Sequence, residues 1–276
     1  MTDARAVKIG CTIPVHGRGA LVAKTIDRLK KQTIPVDVVL IGDDMQRDIM
    51  DMAQEREIPY LIFPNELLGY KWQVGVEYWK DKNIGAWLYL GSSDWICDNW
   101  CETLMPYIVG GADMVGVEDI YFLDIGLHNF KRMIYWPGYV GERAGEQIGT
   151  GRLLSRRILD KMHWNVFDLL LINSLDKSMQ LHVAKSGGII KTLKKEDQLT
   201  ALSISTYRWP NKHQFADMLG MPSCLPIDFD RMDKIIEKSF PEARNLFGED
   251  LESKDREYKQ RIKNPKGGFD FDLWPL

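Results

Sequence analysis

Apolar residues follow two alternating rhythms over the first 120 positions. Short unbroken runs, VKIGCTIPV (7–15), VDVVLIG (36–42), PYLIF (59–63), AWLYLG (86–91) and ADMVGVED (112–119), read as buried strands. Between them the spacing turns helical, as with Leu21, Val22, Ile26 and Leu29 in 19–32. Segments 45–56, 71–81 and 98–109 are expected to be helices as well. Strands alternating with helices predict an α/β fold with a doubly wound, mostly parallel, Rossmann-related sheet. The turns after the strands, Pro14–Arg18, Asp43–Asp44, Asn65–Lys71 and Ser92–Asp94, should then share one sheet edge. That edge is where open α/β sheets bind ligands.

The second half is less regular and reads as α+β. Residues 121–140 look like antiparallel strands with turns, and GTGRLLSRRILDKM (149–162) like a Gly-rich loop entering a helix. A helix is expected over 174–187, beginning near Asp176 and stopped by Gly187-Gly188, followed by a strand over 188–193. Segments 212–219 and 230–262 are charged and mostly helical in pattern, and 267–276 reads as a hinge with an aromatic hook. The expected organisation is one domain over 1–205, divided near 118, with a helical C-terminal extension over 206–276.

Composition narrows the partners. The 276 residues carry a net charge of −3 without a long basic run, which gives no support to a nucleic-acid partner. Cys11, Cys97, Cys101 and Cys224 form no CxxC pair and read as buried thiols in a reducing compartment. The start, MTDARAVKIG, has no apolar leader pattern, and no segment reaches membrane-span length. A soluble cytoplasmic protein is expected. Trp72, Trp95, Trp100, Trp136 and Trp209 lie near the suspected loops, where they serve either core packing or ring stacking.

Several catalytic patterns are missing. HGRGALV (16–22) has Val22 where a dinucleotide fingerprint needs a third small residue, and Pro14 and His16 separate it from the strand. No phosphate-loop, G-x-S-x-G or H-E-x-x-H pattern occurs. What stands out is Asp94 after AWLYLGSS, a poor strand residue at a strand's carboxyl end.

The segment IGCTIPVHGRGALVAKTIDRLKKQTIPVDVVLIGDD resembles the opening of GT-A fold glycosyltransferases, particularly the large inverting family 2 group. Pro14, His16, Gln32-Thr33 and Asp43-Asp44 carry the likeness. NELLGYKWQVGV (65–76) is similar to that family's Asn…Leu-Gly loop and helix, and YLGSSDW (89–95) sits where the family has its DxD motif. GTGRLLSR and SLDKSM extend the likeness more weakly, and it fades after about 210.

The resemblance implies sugar transfer from a nucleotide-sugar donor, expected to be a UDP-sugar, to an acceptor hydroxyl, with inversion and a divalent cation (Mn²⁺ or Mg²⁺). Residues 1–118 would be the donor half and 119–205 the acceptor half. By position Asp94 matches the last DxD aspartate, the metal ligand. Ser92 and Ser93 replace the rest, and one of them would contact ribose. His213 would be a further metal ligand. Pro14, His16, Asp43 and Asp44 would bind donor, with Asp44 accepting a hydrogen bond from the base. A leaving diphosphate gathers negative charge, so Lys71 or Arg152 would assist. Inversion needs a general base; Asp176 is the best positional match, then Asp168, then Asp119.

Plainer readings exist. Asp43-Asp44 also suits a turn or helix cap, and Asp176 a carboxylate that stabilises a helix start. A nucleotidyltransferase and a non-catalytic nucleotide- or sugar-binding module are the rival functions. The first would want a basic Gly-rich loop after strand one, of which PVHGRGA is a thin version; the altered DxD favours the second.

Overall fold

The computed structural model describes residues 7–125, 132–194, 199–205 and 224–246. The chain opens with β1 (Ile9–Pro14), α1 (Gly19–Leu29), β2 (Val36–Gly42), α2 (Arg47–Glu55), β3 (Tyr60–Ile62), α3 (Leu68–Glu77) and β4 (Ala86–Tyr89). It continues with β5 (Asp94–Ile96), α4 (Trp100–Val109), β6 (Met114–Val117), β7 (Ile120–Asp124) and β8 (Arg132–Trp136). Then come β9 (Arg152–Ser155), α5 (Arg156–Lys161), α6 (Leu175–Lys185), β10 (Ile190–Leu193) and β11 (Ala201–Ser205). The last described elements are β12 (Leu225–Ile227), α7 (Phe229–Ser239) and α8 (Ala243–Leu246).

Seven strands form the main sheet in the order β10-β6-β9-β4-β1-β2-β3. β4, β1, β2 and β3 are parallel neighbours, as the alternation of strand and helix predicts. Here the structure adds a strand. RLLS, expected as part of a loop, is β9, and it runs antiparallel between β4 and β6. All four of its residues are buried. Ser155 then caps α5 by accepting from the Ile158 N–H at 3.1 Å.

A second sheet has the order β12-β8-β7-β11-β5. β7 and β8 are antiparallel, as read from 121–140. β5 was not expected. Asp94 therefore opens a short strand rather than only ending a turn, and it pairs opposite Ser203 of β11.

The two sheets share one apolar core, in which Ile13, Leu88 and Val117 of the main sheet lie with Ile96, Phe122 and Ile134 of the second. Thr12 in β1 accepts from the indole N–H groups of Trp79 and Trp87 at 3.1 and 3.2 Å and donates to the Gly75 carbonyl at 2.7 Å. A Cβ on Gly75 would lie 2.3 Å from the Thr12 methyl, so α3 approaches β1 this closely only with glycine there. This contact sets where α3 delivers Lys71. On the second sheet, Met232 and Ile236 of α7, with Phe240 and Leu246, pack on Trp95, Tyr121, Leu123, Tyr135 and Leu202. The four cysteines are buried free thiols. Among the described residues no helix is long and apolar enough to cross a membrane.

Candidate active site

The strand ends of the main sheet and the edge of the second sheet enclose a cleft of about 590 Å³. Its first wall is the turn after β1. Gly17 and Arg18 both have left-handed backbone, at φ 66° and 58°. Holding a non-glycine residue there costs about 1–3 kcal/mol and needs support from around it. Buried Gln46 gives that support. Its Oε1 accepts from the Gly17 N–H at 2.8 Å, and its Nε2 donates to the Val15 carbonyl at 3.2 Å. The turn places the Arg18 guanidinium beside Ser92, Nη2 donating to Oγ at 3.1 Å.

Lys71 comes from the first turn of α3 and is 2% exposed. Its Nζ donates to the Val15 carbonyl at 2.6 Å and to Oδ1 of Asn65. Burial pushes its pKa down to about 8, while the negative charge of Asp43 opposes the shift. Asn65 in turn donates to Asp43 and contacts His16 Nδ1 at 2.9 Å. Asp43 thus reaches the cleft through Asn65 and His16, which line it.

Asp94 lies deeper. Its Oδ2 accepts from the Thr150 hydroxyl at 2.9 Å. Burial raises its pKa, against hydrogen bonds from Ser203, Thr150 and Gly91 and the positive charge of Arg18. Ser92 and Ser93 are buried beside it.

Asp176 faces the same cleft from the start of α6, after Ser174 with a left-handed φ of 55°. Oδ2 accepts from the Tyr139 hydroxyl and, at 3.4 Å, from Arg143 Nη2. Burial works to raise the Asp176 pKa. The Tyr139 hydrogen bond, the Arg152 charge, the Lys177 N–H and the Arg143 charge outweigh it, and the carboxyl sits below its usual range. The Gly149–Thr150 turn runs between the two carboxylates. A Cβ on Gly149 would come within 3.5 Å of the Asp176 Cβ, while Thr150 bonds Asp94.

Of the residues expected from sequence, Pro14, His16, Lys71, Ser92, Ser93, Asp94 and Asp176 meet at this cleft. Five do not line it: Asp43, which lies behind Asn65 and His16, Asp119, which is buried, and Asp44, Asp168 and Arg152. Asp44 is exposed beyond the rim. Asp168 is exposed and accepts from the Leu170 N–H at 3.3 Å. Arg152 is 0% exposed and is consumed by backbone carbonyls: those of Ile148 at 2.7 Å, Gln147, and Asp176 at 2.5 Å. It braces the Asp176 turn from below. His213 and Trp209 lie outside the described residues. Trp72 and Trp136 line the cleft, whereas Trp95 and Trp100 are core. Sequence reasoning gave no role to Arg18, Tyr139, Thr150 or Ser203. Thr150 lies within GTGRLLSR, whereas no local pattern marks Tyr139 or Ser203, which reach the cleft only through tertiary contacts.

No protein-family model and no curated protein matches the chain. Solved structures do. The crystal structure of GalNAc-T7 with UDP, GalNAc and Mn²⁺ superposes with a TM-score of 0.54 at 13% identity, over 91% of this chain and 58% of that one. The mannosyltransferase PcManGT from Pyrobaculum calidifontis, in complex with GDP-Man and Mn²⁺, gives a TM-score of 0.51 at 8% identity, over 76% of this chain and 59% of that one. The chain has the GT-A glycosyltransferase fold.

The GT-A cleft can be tested for the cation that the resemblance implies. Asp94 and the hydroxyls of Ser92, Ser93, Thr150 and Ser203 offer oxygen donors, which suit Mg²⁺ or Mn²⁺. Among the described residues no group of three His, Cys, Asp or Glu side chains could hold a metal. One carboxylate fits a cation completed by phosphate oxygens and water, not a centre built by the protein alone.

Proposed function

We propose that the protein is a glycosyltransferase that moves a sugar from a nucleotide-sugar donor to an acceptor hydroxyl with inversion. The observation that carries this reading is one cleft holding two carboxylates of opposite character beside two cationic side chains. Asp94 sits beside Arg18, and Asp176 is held in its low-pKa clasp across the Gly149–Thr150 turn.

In this reading Asp94 would hold a divalent cation, which when bound neutralises charge on the donor's diphosphate. Arg18 and Lys71 add positive charge on the β1 side of the same space. Asp43 orders Asn65 and His16 for contact with the nucleoside. The acceptor enters on the Asp176 side. Its hydroxyl proton passes to the Asp176 carboxylate, and its oxygen bonds to the anomeric carbon. The bond from that carbon to the phosphate oxygen breaks, and the nucleoside diphosphate leaves with the electron pair. The clasp keeps Asp176 ionised at neutral pH and aimed, although a low pKa makes it a weaker base.

Asp176→Asn is the test. Removing a general base costs on the order of 10²–10⁴ in rate. Transfer should fall by that much, while binding of the nucleoside diphosphate, read by calorimetry, stays at the wild-type level. A helix-start carboxylate predicts the reverse: a melting point lowered by the equivalent of about 0.3–1 kcal/mol with transfer intact.

A further inference from the structure

Tyr139 is set in a cluster that the proposed reaction does not use directly. Its ring stacks under Arg143, with the guanidinium carbon 3.5 Å from the ring centroid. It meets Trp136 edge-on at 4.8 Å. Arg143 is fixed from its other side by Glu146, Nε donating to Oε2 at 2.6 Å. The ring is therefore held by Arg143 over its face and by Trp136 at a right angle, and its hydroxyl is delivered to Oδ2 of Asp176.

Resting on the reading that Asp176 is the base, we propose that Tyr139 is its positioning residue. By donating to Oδ2, it fixes the carboxylate's rotation and leaves Oδ1 for the acceptor's proton. Both side-chain hydrogen bonds of Asp176, from Tyr139 and Arg143, fall on Oδ2. The other groups that face this carboxylate are Arg152 from β9, through its charge and its bond to the Asp176 carbonyl, and Tyr89 from β4. The Lys177 N–H of α6 completes the set. Arg152 cannot take over the Tyr139 contact, because it is committed to three backbone carbonyls. Tyr139 itself is poised to donate, since burial and the Asp176 charge push its pKa up to about 12.

The test is Tyr139→Phe, which keeps the ring's contacts with Arg143 and Trp136 and removes only the hydroxyl. Two readouts are needed. The first is a ¹³C NMR titration of aspartate carboxyls, with the Asp176 signal assigned by its loss in Asp176→Asn. Losing a hydrogen bond to the charged form should raise the Asp176 midpoint by about one pH unit. The second is transfer at neutral pH, where kcat should fall about tenfold with donor KM unchanged. An unmoved Asp176 titration overturns the proposal. So does a moved titration with unchanged kcat, which would make the contact structural only. An Asp176→Asn variant as active as wild type overturns the underlying assignment of the base, whatever Tyr139→Phe shows.

Discussion

Lys71 shows how a single side chain can hold a loop and titrate near neutrality. A buried ammonium is costly, and this one is kept by the Val15 carbonyl and Asn65 Oδ1. With its pKa at about 8, close to half of the Lys71 side chains are neutral at pH 8 in the free protein. A diphosphate arriving nearby favours the ammonium, so its binding should draw in protons at pH 8 and almost none at pH 6. Calorimetry in two buffers of different ionisation heat reads this directly. The apparent enthalpies should differ between buffers at pH 8 and coincide at pH 6; coincidence at both would show that the bound anion does not sense Lys71. At this scale much of the site was legible. Lys71, Ser92, Ser93 and Asp94 follow strands in order, and Asp176 begins a helix, so sequence position alone points to them. Arg18 was visible within PVHGRGA, but its role depends on a left-handed turn set by Gln46, 28 residues later.

Among the elements, the parallel strands were the most legible because burial on both faces leaves nearly continuous apolar runs. β9 and β5 were not. RLLS is four residues long and follows a glycine-rich turn, and DWI is only three. Both are strands only because distant partners supply their ladders, β4 and β6 for one and β11 for the other. The turn into β9 depends on Gly151, at φ 75°. A Cβ there would lie 2.5 Å from the Trp100 ring, and the Gly151 carbonyl accepts from the Trp100 indole N–H at 2.8 Å. Gly151→Ala should therefore destabilise the protein by about 1–3 kcal/mol from backbone strain, with the ring clash adding to it. Because the same turn separates Asp94 from Asp176, transfer should drop as well. Denaturant unfolding checks the first effect, and an unchanged midpoint would show that the Trp100 contact yields without strain.

Across the whole molecule, the C-terminal helices are joined to the GT-A sheets by apolar packing and by one buried cation. Arg28 of α1 is 4% exposed, yet it bonds Asp98 at 2.7 Å, Glu242 at 3.0 Å and the carbonyls of Ile96 and Ser239. It also lies 5.2 Å from the centre of the Phe240 ring. These contacts link α1, which leads out of the Arg18 turn, to β5, which begins with Asp94, and to the end of α7. The architecture thus holds Arg18 and Asp94 together from behind. The charged helical pattern after 230 gave no sign of this, because a surface-like composition does not reveal which face meets a sheet. As a glycosyltransferase, the protein would cleave a nucleotide-sugar bond in this cleft with Asp94 as the anchor for the cation. The most direct measurement is nucleoside diphosphate release from a panel of UDP- and GDP-sugars with Mn²⁺, for wild type and Asp94→Asn side by side. Asparagine keeps the size of the side chain and can still accept from Thr150. Wild type should release nucleoside diphosphate from at least one donor, and the variant about a hundredfold less, at an unchanged melting temperature. Release by neither protein from any donor, or equal release by both, would contradict this reading.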